Sequence, residues 1–434
     1  MAIVFASALL PIHAFAAGFQ IWEQSVRGLG RANAGSAALA ENASTIFFNP
    51  AGLMRLSKTE LLGGFSIIDF NTDFDRITTV DAIGQPLSGG EGGDIGDAIA
   101  VPSIYFAMPI NEKMAWGIAL NVPFGLTTEY DSDSVFRYQA IKSEITNINI
   151  NPSFAYRIND VVSLGVGLNW QRMDVELTNA VDYGAVCFGA VDPVTCTSLG
   201  LLPQSLDGFA RLEADSDAFG WNLGVLVETG ETRFGFSYRS RIDHDLEGDA
   251  TFTNAPALFT ALGLFTNTGA RADFETPEIW ILSFAHDLGE NWIISADIAR
   301  TGWDTFQELR VRFDNPAQPD TVQVENWKDS YKFAVGVDYQ LNDKWILRGG
   351  AALDESPIPE EFRAARLPSD DRYWLSFGAS YASSDKLTMN IGYAHLFVSD
   401  NIFFDQTSST GDRVVGIFEA DVDILGFEVG YQFD

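Results

Sequence analysis

The stretch YKFAVGVDYQL, residues 331–341, alternates large and small side chains with a period of two. Its aromatic and β-branched residues fall on one face of an extended chain, and Lys332, Gly336 and Asp338 fall on the other. Successive side chains of a strand point to opposite faces, so this period is typical of β-structure. A large apolar face opposite a small or polar one favours a strand between lipid and the interior of a barrel.

The same alternation recurs along the chain, at residues 162–171, 292–298 and 425–433. Short turns are predicted at residues 111–113, 159–160, 229–231, 289–291, 342–343 and 383–385. Long polar stretches alternate with them, at residues 75–97, 128–140, 180–211, 248–271, 313–327, 354–370 and 404–420. Short periplasmic turns and long outer loops are typical of outer-membrane barrels. We therefore predict an all-β fold, a 14-stranded antiparallel transmembrane β-barrel over residues 57–434, closed so that no strand edge meets lipid.

Composition narrows the class of protein. The chain of 434 residues carries 27 Lys and Arg against 59 Asp and Glu, a net charge of −32 that repels nucleic acid. A disordered acidic chain would be poor in aromatic residues. This one has 33 Phe, 12 Tyr and 10 Trp, which indicates a folded protein. Aromatic residues also cluster at the ends of the alternating segments, as a membrane girdle requires.

The N-terminal region differs from the rest. Residues 1–16 are mostly apolar and end in Ala14-Phe15-Ala16, the pattern of an export signal, although no basic residue precedes them. The alternative is a buried helix of a cytosolic protein. Residues 17–56 are rich in Ala, Gly, Ser and Asn and do not alternate. We predict that they form a hatch, a plug inside the barrel lumen. The alternative is a loose periplasmic tail.

The two cysteines, Cys187 and Cys196, lie in one long polar stretch. An exported protein meets an oxidising compartment, so a disulfide between them is expected.

Taken together, these segments resemble the FadL family of outer-membrane transporters of long-chain fatty acids and aromatic hydrocarbons. The resemblance is carried by ordered motifs along nearly the whole chain, among them AGFQ at 17–20, GLGRA at 28–32, NPAG at 49–52, PFGL at 123–126 and DDRYWLS at 370–376. It implies a monomeric barrel with an internal hatch, in the bacterial outer membrane beside lipid and lipopolysaccharide. It also implies passive uptake of a hydrophobic small molecule without a cofactor.

Pro123 interrupts the third predicted strand, and Gly125 follows two residues later. Proline cannot donate to a strand ladder, so a kink or bulge is expected around Pro123, Phe124 and Gly125. In the family, such a gap in the wall is where the substrate leaves sideways into the bilayer. The alternative is a bulge that serves packing alone.

The resemblance also implies roles for hatch residues. Asn49, Pro50 and Ala51 would end the hatch near the kinked wall, although from the residues alone they read as an ordinary turn. Phe19 would reach the substrate pocket, so that a small movement there releases the ligand.

The cargo is less determined than the route. The positions of the family's basic head-group residues fall near Asn179 and Gln323, neither of which is basic. A neutral aromatic hydrocarbon is therefore the alternative to a fatty acid. An apolar run in a long loop predicts either a ligand pocket or a loop helix packed on its neighbour. Its members are Leu258, Phe259, Leu262, Leu264 and Phe265.

An enzyme would need a positioned nucleophile and base. His244, His286 and His395 lie outside any recognisable nucleophile motif, so we predict no catalytic residue and no metal site. An outer-membrane lipid enzyme and a receptor barrel remain the distant alternatives.

Overall fold

A computed structural model describes residues 18–96, 98–398 and 401–433. The leader predicted at residues 1–16 lies outside them. The described chain forms antiparallel strand segments that pair into one sheet. They are β1 (Glu60–Val80), β2 (Ile99–Asn111), β3 (Met114–Glu129), β4 (Lys142–Arg157), β5 (Val162–Asp182), β6 (Asp207–Thr229), β7 (Thr232–Arg239), β8 (Ile242–Phe252), β9 (Thr268–Thr276), β10 (Ile279–Leu288), β11 (Trp292–Thr301), β12 (Glu308–Phe313), β13 (Thr321–Val324), β14 (Ser330–Asn342), β15 (Trp345–Asp354), β16 (Arg372–Ala382), β17 (Leu387–Phe397), β18 (Ile402–Thr407) and β19 (Arg413–Gln432).

The sheet closes because β1 pairs with β19 along almost its full length. Several segments are two halves of one membrane strand. For example, β7 and β8 both pair with β6, and β17 and β18 both pair with β19. The same holds for β9 with β10, β11 with β12 and β13 with β14. Joining these halves gives the predicted 14-stranded antiparallel barrel, which is confirmed.

The alternation read from the sequence is the alternation of the wall. On β14, Phe333 and Val335 are 42% and 60% exposed, whereas Lys332 and Ala334 are buried against the interior. Aromatic pairs sit at strand ends, such as Trp292 with Tyr339, whose ring centroids are 4.3 Å apart. Such rings suit the boundary between lipid and water.

The predicted turns join the strands as expected, but some outer loops are shorter than predicted. Residues 404–420 are mostly strand, because β18 and β19 extend as a hairpin that closes at residues 408–412. Strand segments that extend beyond the lipid are polar and therefore resemble loops in the sequence, yet they still pair in the sheet.

Short helices complete the structure. Among the described residues, no helix has the length and hydropathy needed to cross a membrane. Inside the lumen lie α1 (Val26–Leu29), α2 (Ser36–Leu39), α3 (Thr45–Phe48) and the 3-10 turn Pro50–Arg55. In the outer loops lie α4 (Tyr183–Ala190), α5 (Pro193–Ser198), α6 (Ala257–Thr260) and the 3-10 turns Trp303–Thr305 and Glu360–Phe362.

The hatch, residues 18–55, packs on inward-facing glycines of the wall. A Cβ at Gly378 would meet the Cα of Gly30 at 2.8 Å, and one at Gly392 would meet the carbonyl oxygen of Val26 at 2.7 Å. Such close approach requires glycine. We call this set of wall residues the glycine seat. Its members are Gly117, Gly165, Gly224, Gly235, Gly336, Gly350, Gly378, Gly392 and Gly426.

Buried charges fix the hatch to the seat. The Arg31 guanidinium lies 3.0 Å from the Asp338 carboxylate of β14. The Asp297 carboxylate of β11 accepts hydrogen bonds from the backbone N–H groups of Gly35 at 2.7 Å and Ser36 at 3.0 Å. Hydrogen bonds to charged groups are the stronger ones, so the hatch is held in one orientation.

Candidate functional site

A cavity of about 80 Å³ lies above the hatch, and we call it the inner cavity. Most of its lining is apolar, and only three of its lining residues are polar or charged: Ser143, Glu325 and Arg366. The apolar part is contributed by the hatch, the wall and the outer loops. Its members are Phe19, Leu126, Ile145, Met173, Val175, Leu177, Leu246, Phe274, Phe306, Leu309, Trp327, Ile358, Ala364 and Leu367. Such a cavity suits a hydrophobic ligand with a single polar end.

Arg366 supplies the cationic group of the inner cavity. It lies in the loop between β15 and β16, and its Nη1 donates to Ser143 Oγ at 2.9 Å. Burial lowers the pKa of Arg366 to about 10, so the guanidinium keeps its charge at neutral pH. Its planar fork matches a carboxylate with two hydrogen bonds.

Glu325 follows β13 and lines the same cavity. Its Oε2 accepts a hydrogen bond from Trp327 Nε1 at 3.0 Å. Burial raises the pKa of Glu325 to about 8, although the charge of Arg366 opposes the rise. At neutral pH this carboxyl is therefore largely protonated, and the polar end of the cavity carries a net positive charge.

Phe19 closes the inner cavity toward the hatch. Its ring centroid lies 5.0 Å from that of Trp303, 5.6 Å from Phe274 and 5.8 Å from Trp327. These rings hold Phe19 at 6% exposure although it lies near the N-terminal end of the described chain. Phe19, which the resemblance places at a substrate pocket, therefore lines the inner cavity.

A second cavity of about 360 Å³ lies on the other side of Phe19, and we call it the exit cavity. Both cavities are lined by Phe19, Leu126, Ile145 and Leu367, which form the wall between them. The exit cavity also reaches Ile99 and Ile148, which are 36% and 37% exposed on the outer face. It therefore runs from the lumen through the barrel wall.

The opening in the wall lies at the kink of β3. The ladder between β2 and β3 runs from Asn111–Met114 only as far as Ile104–Leu120. On the other side, the register of β3 against β4 shifts between Asn121 and Phe124. The predicted irregularity at Pro123 is thus a bulge at the point where β2 and β3 stop pairing.

Residues 19–21 are extended and form an isolated antiparallel bridge with this bulge, between Gln20 and Phe124, and we call them the N-terminal strand. The Ile21 N–H donates to the Pro123 carbonyl at 2.9 Å, and the Gly125 N–H donates to the Phe19 carbonyl at 3.0 Å. A Cβ at Gly125 would meet Ile21 Cδ1 at 2.9 Å, so glycine permits the close pairing. The Pro123 carbonyl of the bulged strand thus accepts a hydrogen bond from the hatch. Phe124 is buried and lies 6.3 Å from the ring of Phe19.

Asn49, Pro50 and Ala51 lie elsewhere. The Asn49 Nδ2 donates to the Val225 carbonyl of β6 at 3.0 Å, and its Oδ1 accepts from the Ala51 N–H at 3.1 Å. None of the three lines either cavity. The expectation that they end the hatch beside Pro123 is corrected, because Gly224 and Gly165 of the seat admit them against β6 and β5 instead.

The apolar loop run packs mainly on its own neighbours. Phe259 is buried, and Leu258, Leu264 and Phe265 are half-buried around Tyr183 and the disulfide between Cys187 and Cys196. Leu262 is 63% exposed. None of the five lines the inner or exit cavity. The run therefore matches the loop-packing interpretation, with Leu262 left on the outer surface.

Sequence reasoning missed the charged residues of both cavities. The expected head-group positions, near Asn179 and Gln323, line neither cavity. The available signal was AARL, residues 364–367, a cation between apolar residues in an acidic loop. Only the fold turns that short segment toward the lumen.

One group of metal-ligating type occurs in the part of the chain that the structure describes. Ligand atoms of His395, Asp421 and Asp423 lie within 4.8 Å of one another on the outward face of β17 and β19. The His395 Nδ1 lies 2.9 Å from an Asp423 oxygen, so the two side chains already pair with each other.

Comparisons with known proteins agree with this architecture. The sequence profile of the family described as outer membrane protein transport protein (OMPP1/FadL/TodX) matches residues 7–433. A long-chain fatty acid transport protein of Escherichia coli K12 is 30% identical over 416 residues, which cover 91% of each chain. Outer membrane protein P1 of Haemophilus influenzae is 31% identical over 425 residues, 92% of this chain and 89% of the relative.

Solved structures give the same fold. The structure of a Pseudomonas aeruginosa FadL homologue superposes with a TM-score of 0.89 at 23% identity, over 96% of this chain and all of the other. The Pseudomonas putida toluene transporter TodX superposes with a TM-score of 0.67 at 18% identity, over 96% and 99% of the two chains.

Proposed function

This chain belongs to the OMPP1/FadL/TodX family of outer-membrane transporters of hydrophobic molecules, and we propose that its substrate is a long-chain fatty acid. The observation that carries the proposal is the Arg366 guanidinium at the one polar end of a mostly apolar inner cavity. Even a half-buried cation in apolar surroundings is costly without an anionic partner, and a fatty acid brings a carboxylate together with an apolar tail. Relatives named as fatty acid transporters support the same substrate class.

The proposed route has three stages. The substrate enters from the outer loops, with Leu262 and its neighbours as the first apolar contact, and binds in the inner cavity with its carboxylate on Arg366. Phe19 then moves, and the inner cavity joins the exit cavity. The substrate leaves sideways between β2 and β3 at Pro123, so that the tail never crosses water. No nucleotide is consumed, because the gradient supplies the driving force.

The test of the substrate class is uptake by cells that lack their own importer. Arg366→Gln is expected to lower the affinity for oleate about tenfold or more, since a charged hydrogen bond contributes ~1.5–3 kcal/mol. Uptake of the neutral methyl ester should change little. Arg172→Gln is the matched control, because Arg172 pairs with Asp217 and lines neither cavity.

The second candidate is a neutral aromatic hydrocarbon, which the apolar lining of the inner cavity also suits. TodX, a toluene transporter, has the same fold. Strong toluene uptake together with oleate uptake that is equal with and without the protein would overturn the fatty acid proposal in favour of this one.

The lateral exit has its own test. Replacing Pro123, Phe124 and Gly125 with a regular strand sequence should close the gap, because β2 and β3 can then pair past Leu120. Oleate uptake should fall to background while the variant still shows the electrophoretic mobility of a folded barrel. The matched control regularises a register shift far from the exit cavity, between Gln340 and Asn342 near a short turn. Full uptake by the first variant would remove the lateral exit.

We also propose that the barrel acts as a monomer within lipid and lipopolysaccharide. A closed barrel offers no free strand edge to a second copy. Its relatives act as transporters, and the same is proposed here, with no enzymatic activity. Light scattering of the purified protein should give the mass of one chain, and a dimer mass would contradict this part of the proposal.

A further inference from the structure

Three charged residues lie side by side on neighbouring strands of the wall, beside the exit cavity. Lys332 of β14 pairs in register with Asp354 of β15, which pairs in register with Arg372 of β16. Their side chains point into the lumen at one level. Lys332 and Asp354 are 4% and 2% exposed, and Arg372 lines the exit cavity. We call these three residues the charge row. It carries one more positive than negative charge.

The two cations of the row lack close anionic partners within the described residues. The Lys332 Nζ makes no hydrogen bond there and lies 3.6 Å from the ring centroid of Trp374 and 4.9 Å from that of Trp22. The Arg372 Nε also has no hydrogen-bond partner, and its Nη2 donates to Ser369 Oγ at 3.2 Å. Lys332 is buried and Arg372 is half-buried, and holding such cations away from water without strong partners is unfavourable, so the row is suited to take up an anion.

Glu23 of the hatch faces the row. It is 5% exposed and interacts electrostatically with both Lys332 and Arg372, yet it forms no ion pair within 4.0 Å among the described residues. It is separated from the N-terminal strand only by Trp22, whose ring lies 4.9 Å from the Lys332 ammonium. The position of this carboxylate is therefore tied to the segment that pairs with Pro123 and Gly125.

From this arrangement we infer that Lys332 and Arg372 form a second site for the substrate carboxylate, which Glu23 occupies until substrate arrives. The inference rests on the proposed function. The carboxylate leaves Arg366, passes the wall at Phe19 and takes the place of Glu23 beside the two cations. Glu23 then withdraws together with the N-terminal strand, and the strand frees the bulge of β3. The substrate carboxylate thus replaces the Glu23 carboxylate beside the two cations, and the exit opens after the substrate has arrived.

Glu23 distinguishes this inference from a purely structural charge cluster. If the four charges only fasten the hatch, both Glu23→Gln and Arg372→Gln weaken the assembly and lower carboxylate binding together. If Glu23 competes with the substrate, the two variants act in opposite directions. Glu23→Gln should tighten binding at the second site, within the range of about 5- to 150-fold found for coupled ligands.

The experiment uses the full chain in a neutral detergent with oleate labelled with carbon-13 at its carboxyl. Carbon NMR should show two bound carboxylate resonances. Arg366→Gln should remove the first and Arg372→Gln the second, whereas Arg372→Lys should retain the second. Glu23→Gln should fill the second at a several-fold lower oleate concentration. Asp338→Asn, which loosens the hatch through Arg31, is the matched control and should shift neither resonance.

The outcomes separate cleanly. Absence of a second resonance, its survival in Arg372→Gln, or its weakening in Glu23→Gln would overturn the exchange site. A first resonance that is insensitive to Arg366→Gln would instead overturn the proposed head-group contact of the inner cavity. Protein that fails to fold in Arg372→Gln is recognised by its electrophoretic mobility, and the sign of the Glu23→Gln effect then decides alone.

Discussion

Replacing Phe19 with alanine should open the passage between the two cavities. The ring is 6% exposed and packs on Trp303, Phe274 and Trp327, with centroids 5.0 to 5.8 Å away. Truncating a buried Phe to Ala costs about 3–5 kcal/mol. The loss falls on a terminal segment held to the wall by two backbone hydrogen bonds, so we take about 3 kcal/mol, equivalent to about 100-fold in the opening equilibrium.

Amide hydrogen exchange measures that opening at the bonds themselves. The Ile21 and Gly125 amides donate across the N-terminal strand, and both should exchange about 100-fold faster in Phe19→Ala when exchange follows the opening equilibrium. Amides of β14 should not change. The matched control is Phe65→Ala, because Phe65 is 42% exposed on the outer face of β1. Equal exchange at Ile21 and Gly125 in the two variants would refute the role given to Phe19.

Three further predictions follow from other contacts. Raising the pH through about 8 should weaken oleate binding. Burial raises the pKa of the Glu325 carboxyl, so it ionises in this range beside the Arg366 guanidinium and competes with oleate for it. In a binding titration, Glu325→Gln should abolish this pH dependence. Replacing both Cys187 and Cys196 with serine should destabilise their loop by roughly 2.5 kcal/mol, seen as faster proteolytic nicking there, while oleate uptake persists because the loop lines neither cavity. Asp338→Asn should remove a buried carboxylate that both Arg31 and Arg348 contact, leaving them to share Glu41, and should loosen the hatch by about 3 kcal/mol. Hydrogen exchange of α1 would report this loosening, and unchanged protection would contradict the anchor.

The barrel could be predicted because its determinants are local. The alternation at residues 331–341 and the turns between alternating segments each depend on neighbouring residues, and they define strands whatever the rest of the chain does. The kink at Pro123 is local for the same reason, since a missing N–H marks its own position in the ladder.

The site could be predicted only in part, because its geometry is not local. Arg366 reaches the inner cavity only because the loop between β15 and β16 folds inward. Asn49 sits on β6 because Gly224 leaves room for it, a relation between residues far apart in sequence. Likewise Lys332, Asp354 and Arg372 become one row only through the register of three strands. The spacing of these residues along the sequence does not predict that register.

Seat glycines from β3 to β19 contact the hatch, so its supporting surface is spread around almost the whole wall. That surface does not exist until the last strand has joined the first. Seating of the hatch and closure of the barrel therefore belong to one cooperative step of assembly. If the sheet has not yet closed, the N-terminal segment is an unsupported tail. A protease present during insertion into the membrane would then cut in this segment, so cleavage there would identify incompletely assembled molecules.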